Sequence, residues 1–171
     1  MTAAAGASDS AAIVAFRGQY RWLSNFHRAE IVVGSHTYPT NEHAFQAHKT
    51  LDRAERARIR RLSDPGDARA AGRSLPLRAD WEDVKQAVML LCVRAKFTQH
   101  ADLAGRLLAT GDAHLEEANT HGDRVWGTVD GHGSNLLGVL LMQVRGELRQ
   151  VAPRRGDAAR STFDGDRPPA R

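Results

Sequence analysis

A lysine set into an apolar helical stripe is the position in this sequence best suited to nucleophilic chemistry. Lys85 follows Trp81 by four residues and precedes Val88 by three, so helical spacing puts it on one face with Trp81, Val88 and Cys92 as the stripe's only charge. A lysine drawn out of water loses hydration of its ammonium form. Its pKa falls, and the neutral amine can form a Schiff base with a carbonyl carbon. The plainer outcome is a stem laid along the core edge with its ammonium in solvent.

A second group follows Pro39. Glu42, Phe45, Gln46 and Lys49 recur at three- and four-residue spacing, which aligns a carboxylate, a ring, an amide and an ammonium on one helix face. A carboxylate there suits stabilisation of an oxocarbenium-like sugar carbon or proton transfer, as in glycoside cleavage. Otherwise Glu42 only satisfies the helix dipole, with Lys49 as its distant partner. In Asp123-Arg124-Val125-Trp126-Gly127 an acid and an indole stand beside glycine. Indole faces stack on nucleobases, and glycine permits close backbone approach to a ligand, although a core tryptophan beside a turn aspartate has the same pattern. Gly131-His132-Gly133-Ser134-Asn135 precedes a helix and offers backbone N–H groups to a phosphate, but it matches neither the Walker pattern nor GxGxxG and also reads as an ordinary capped turn. His43 and His48 are five apart and fall off one helical face, and no HExxH occurs, so no metal site is expected. Ser24 and Ser134 lack the surroundings of a serine triad.

The elements that must hold these residues are legible in part. Ile31–Val33 and His36–Tyr38 around Gly34-Ser35 read as a hairpin, with Gly34 supplying the positive φ of a two-residue loop. Thr40 is a candidate cap for a helix from Asn41 to Leu51, a second covers Arg53 to Leu62, and Asp64-Pro65-Gly66 ends it. Asp80 to Phe97 is the most readable helix, with Asp80 as cap and Trp81, Val84, Val88, Leu91, Cys92 and Ala95 as its buried stripe. Further helices are expected at Gln99 to Thr110, stopped by Gly111, and at Asn135 to Val151, with short strands at Leu115 to Asn119 and Arg124 to Thr128. The fold class is therefore α+β, predominantly helical with a small antiparallel component, in one domain over 13–151 between disordered tails at 1–12 and 152–171.

Of 171 residues, 42% are hydrophobic and 26% charged, a globular composition. The net charge of +4 is mild, and part of it lies in the arginine-rich tail after Val151. Such a surface suits a small anionic ligand better than a long phosphate track. The run Arg53, Arg56, Arg58, Arg60, Arg61 reads as a solvated helix face. A single cysteine, Cys92, excludes intrachain disulfides and cysteine-held clusters, and no apolar run reaches ~18 residues, so a cytoplasmic protein without membrane contact is expected.

Several segments together carry a resemblance: Trp22-Leu23-Ser24-Asn25-Phe26, Tyr38-Pro39-Thr40-Asn41-Glu42-His43-Ala44-Phe45-Gln46-Ala47, Asp80-Trp81 leading to Lys85 and Val88-Met89, Lys96-Phe97, Leu115-Glu116-Glu117, Asp123 with Trp126-Gly127, and Gly133-Ser134-Asn135-Leu136-Leu137-Gly138. In order and spacing they resemble the NADAR family of YbiA-like N-glycosidases across roughly Phe16 to Leu148. The resemblance implies a mostly helical YbiA-like fold and cleavage of an N-glycosidic bond to ribose, without metal or organic cofactor. It implies two kinds of substrate: phosphoribosylamino-pyrimidine intermediates of riboflavin synthesis, and ADP-ribose attached to guanine bases in a nucleoside or nucleic acid. By motif, Glu42 is similar to the family's essential acid, Lys85 to a lysine that traps ribose C1, and Asp123 and Trp126 to an acid and a stacking ring. Asn25, Phe26, Phe45 and Trp81 match pocket lining, with Gly127 and Asn135 in the adjoining substrate-binding loops. Where the family often has another glycine after Trp-Gly, this chain reads Thr128-Val129-Asp130.

Two other classes compete. One is a non-catalytic ADP-ribose or nucleotide-binding module with the same pocket, which would need no amine beside a carboxylate. The other is a basic nucleic-acid-binding protein resting on the Arg53 to Arg61 run and the arginine tail.

Overall fold

The computed structural model describes residues 11–151. The expected tails fall outside the described residues except for 11 and 12. The elements are β1 (Ile13–Val14), a 3-10 helix (Gly18–Leu23), β2 (Ile31–Val33), β3 (His36–Tyr38), α1 (Asn41–Ala47), α2 (Arg53–Arg60), α3 (Pro65–Arg73), α4 (Trp81–Gln99), α5 (Ala101–Ala109), β4 (Leu115–Glu116) and α6 (Leu136–Val151). Helix α4 is the spine. Its buried Trp81, Val88, Met89, Cys92, Val93 and Phe97 meet α1, α5, α6 and β2.

The hairpin β2–β3 is antiparallel in the expected register, Ile31 opposite Tyr38, and Gly34 takes φ +62°. Thr40 caps α1 by accepting from the His43 N–H. The helix is shorter than expected, ending at Ala47, because Asp52 starts α2 by accepting from the N–H groups of Ala54 and Glu55. Asp64-Pro65-Gly66 does end α2, but the same residues begin α3. Asp64 accepts from the Gly66 N–H at 2.7 Å, and Pro65 at the first helical position gives up no needed donor. A helix therefore stands where only a break was expected.

The second strand pairing was also not foreseen. β1 and β4 are parallel, Ile13 opposite Leu115 and Val14 opposite Glu116, so the small β component is half parallel. This joins segments about a hundred residues apart and seats Phe16 and Arg17 beside Glu117. Arg124 to Thr128 is not a strand and makes only an isolated bridge from Thr128 to Ala118. After it, Asp130 and Gly131 have φ of +52° and +74° while Val129 and His132 exchange backbone hydrogen bonds at 3.0 Å. Two consecutive positive φ values make a tight two-residue turn at Asp130-Gly131.

On α4, Asp80 gives its carboxylate to Arg78 at 2.5 and 2.8 Å and makes no side-chain cap. Leu91, expected in the buried stripe, is 47% exposed. The buried charge of this helix is Lys96, 1% exposed, whose ammonium donates to the carbonyls of Trp22 at 2.6 Å and Ser24 at 2.9 Å. Burial pushes its pKa down to about 7. The two carbonyls end the 3-10 helix, so Lys96 pins the segment that enters the site at Ser24.

Candidate active site

A cavity of about 570 Å³ opens where α1, α3, the 3-10 helix and the loop from Glu117 to Trp126 converge, a volume suited to a small-molecule ligand. Glu42 stands in the first turn of α1, 7% exposed. Its backbone N–H donates to the Asn25 carbonyl at 3.1 Å, and its Oε1 accepts from Gln46 Nε2 at 2.7 Å, one turn along. Burial raises its pKa, opposed by the Gln46 hydrogen bond and the charges of Arg69 and Lys49, while Asp123 adds to the rise. This acid thus lies under the influence of cations and of a second carboxylate.

Lys49 is the amine of the cavity. It follows the C-cap of α1, its backbone carbonyl accepts from Arg78 N–H at 2.8 Å, and its Nζ lies 5.7 Å from the Phe45 ring centre and 6.0 Å from that of Trp81. Burial lowers its pKa, Glu42 opposes this, and Arg69 and Arg73 reinforce it. Burial works against the charge of both groups while each favours the ionised form of the other, so the carboxylate and the ammonium both hold their charge less firmly than in water.

The pair is braced from α3. Gly72 packs so tightly on Gln46 that an added Cβ would lie 2.7 Å from its Cδ, nearer still to its Oε1 and 3.0 Å from its Cβ. Gly72→Ala is therefore expected to turn Gln46 off Glu42. Thermal melts should show a loss of about 1–3 kcal/mol, and activity should fall up to about a hundredfold as the acid is misplaced.

The opposite wall is the loop after β4. Asp123 Oδ1 accepts from the N–H groups of Val125 (3.0 Å) and Trp126 (2.9 Å), and Asn119 grips Asp123 through its N–H (3.1 Å) and carbonyl (2.7 Å). These bonds present Trp126 to the cavity, edge-on to Phe45 with ring centres 5.2 Å apart. Phe45 is backed in turn by Trp81, also at 5.2 Å. Glu117 lines the same wall. Burial raises its pKa to about 7, with the Phe16 N–H and Arg17 pulling down and Asp123 pushing up.

A carboxyl near 4.5 unfolded and about 7 folded contributes stability that is complete below about pH 4.5 and lost as the pH rises through 7. Glu117→Gln, which imitates the protonated acid, is accordingly expected to become more stable relative to the parent chain between pH 5 and pH 8. Denaturant midpoints at the two pH values measure it.

The NADAR domain model matches residues 15–149. The chain belongs to the NADAR family. The N-glycosidase YbiA of Escherichia coli K12 is 49% identical over 132 residues, covering 75% of this chain and 82% of that one. The NMR structure of E. coli YbiA superposes with a TM-score of 0.77 at 42% identity, covering 88% of this chain and 94% of that one. A riboflavin biosynthesis protein of Vibrio vulnificus is 42% identical over 135 residues, which are 77% of this chain and 36% of that longer protein. The helical fold agrees with that of its NADAR relative.

Within this NADAR domain, the candidate residues Asn25, Phe26, Glu42, Phe45, Asp123 and Trp126 all line the cavity. Four residues stand elsewhere. Lys85 is not among the lining residues; its ammonium pairs with Glu82, an exposed neighbour on the same helix, so the stem at the core edge describes it better than a cavity nucleophile. Trp81 supports Phe45 from behind. Gly127 makes its close approach to the chain itself, since a Cβ there would collide with the Glu117 carbonyl. Asn135 is a clamp: Oδ1 accepts from the Glu117 N–H at 3.0 Å, and Nδ2 donates to the Leu115 carbonyl at 2.8 Å. Sequence reasoning missed Arg17, Arg21, Arg69, Arg73, Glu117 and Asn119 as cavity residues. Arg69 and Arg73 had a usable signal, four apart on a helix, but that helix had not been recognised.

Proposed function

We propose that this NADAR domain is an N-glycosidase that cleaves the bond between ribose C1 and the nitrogen of a nucleobase-like ring. The observation that carries the reading is the meeting of Glu42 and Lys49 in one cavity beside the Phe45 and Trp126 rings. The names of its relatives, N-glycosidase and riboflavin biosynthesis protein, support the same reaction class.

The leaving base stacks on Trp126, and phosphate attached to the ribose is met by the guanidinium groups on the cavity wall. As the C1–N bond breaks, its electron pair goes to the base nitrogen and positive charge grows at C1. The neutral Lys49 amine adds to C1, giving a glycosylamine after losing a proton to the Glu42 carboxylate; ring opening yields a protonated Schiff base that water hydrolyses. Direct capture of C1 by water, with Glu42 taking its proton, gives the same product. No organic cofactor or metal enters these steps. The substrate is a phosphoribosylamino-pyrimidine or an ADP-ribosylated guanine.

The test is base release, followed by chromatography, from each of these compounds. Release from at least one is expected. Binding of ADP-ribose by calorimetry without release from either would instead leave a non-catalytic binding module.

A further inference from the structure

We infer that Glu117 is a further catalytic residue, the general acid that delivers a proton to the departing base nitrogen. The inference rests on the N-glycosidase reading. Three observations carry it. Glu117 lines the same wall as Asp123 and Trp126, where the base would stack. Its Oε2 is buried without a hydrogen-bond partner among the described residues, although buried carboxyl oxygens ordinarily find one. Its backbone is held from several sides: Asn135 Oδ1 takes its N–H at 3.0 Å, its carbonyl accepts from Thr128 N–H at 2.9 Å, and Gly127 lies against that carbonyl. An acid on so fixed a backbone, lining a ligand-sized cavity with one carboxyl oxygen buried and unpartnered among the described residues, keeps hydrogen-bonding capacity that no protein group there uses.

The charged groups around it set its state. Arg17, next to the 3-10 helix, favours ionisation; Asp123 opposes it, and burial outweighs both, so the proton is held to about pH 7. Arg21, His121 and Glu42 are further titratable or charged groups lining the same cavity, with Lys49, Arg69 and Arg73 beyond Glu42. Asp123 raises the pKa of both Glu42 and Glu117, but Glu42 is held by a hydrogen bond from Gln46 and the charges of Arg69 and Lys49, whereas Glu117 has Arg17 as its cation and no side-chain partner for Oε2 among the described residues. Two carboxyl groups in unlike surroundings divide the work. Glu42 serves the sugar carbon, and Glu117 serves the leaving group. In the step itself the C1–N bond breaks, its pair and the Glu117 carboxyl proton both end on the base nitrogen, and C1 is taken by Lys49 or water. The proton that Glu42 takes from the amine or water is then released to solvent and Glu117 takes one up from solvent, so the cycle ends with both groups as they began.

The test compares Glu117→Gln with the parent enzyme on two ribosyl phosphates, one bearing an amino-pyrimidine and one bearing 4-nitrophenol, which leaves without being protonated. The amino-linked substrate should lose about a hundredfold or more in kcat, while the nitrophenyl substrate keeps its rate within about threefold. The alkaline limb of the parent's pH profile near 7 should vanish in the variant. Equal losses on both substrates, or no loss on either, would overturn the assignment. Should Glu117→Gln fail to fold, Glu117→Asp makes the same comparison, its acid withdrawn by one methylene and its loss again confined to the amino-linked substrate. A parent enzyme that releases neither leaving group sinks the N-glycosidase reading, and the inference with it.

Discussion

Glu42→Gln should lower kcat for N-ribosyl cleavage by about 10²–10⁴-fold while leaving the fold intact. The amide matches the carboxyl in shape and can still meet Gln46, so the core around α1 is undisturbed. What disappears is the ability to carry negative charge against C1 and to accept a proton from the attacking amine or water. The variant also removes a buried ionisable group, so its melting temperature should equal or exceed that of the parent. A drop in rate with unchanged or raised stability separates loss of chemistry from loss of structure. Unchanged turnover would deny Glu42 its role.

The second large effect separates two lysines. Lys49→Met keeps a stem of similar length beside Phe45 and Trp81 but removes the amine, and activity should fall by about a thousandfold or more, as for other removals of a nucleophile. It also leaves Glu42 without one of the two cations that oppose its upward pKa shift, so the acid-side loss of what activity survives should set in at higher pH than in the parent. Lys85→Met, by contrast, deletes only an ion pair with the exposed Glu82, and surface pairs of this kind contribute about 0–1 kcal/mol. Its turnover should stay within about twofold of the parent. Parallel kinetics on the two variants read this out, and the reverse pattern would return the reaction to Lys85.

Those two lysines also show how far the sequence could be read. The helix bearing Lys85 lies where its spacing predicts, and Trp81, Val88, Cys92 and Ala95 of its apolar stripe are buried while Leu91 is not. Periodicity does not say what an edge position faces, and Lys85 lies at the edge, turned toward Glu82. Lys49 was visible as a member of the Glu42 face, but only the early end of α1 at Ala47 and the packing of α3 against α1 turn it into the site. Local signals served well where chemistry is local: Thr40 as a cap, Gly34 in its turn. They failed where one motif has two readings, as at Asp64-Pro65-Gly66, which ends one helix and begins another. They failed also where pairing is remote, as between β1 and β4, whose contact places Arg17 beside Glu117. Glu117 belongs to the Leu115-Glu116-Glu117 segment, whose sequence gives it no role, because its unpartnered oxygen exists only after that closure.

Reduction with borohydride during turnover, followed by digestion and mass spectrometry, tests most directly whether the cavity amine does the chemistry. A ribosyl adduct on the peptide containing Lys49 is the expected result. An adduct on Lys85, or full turnover with no adduct at all, would contradict it.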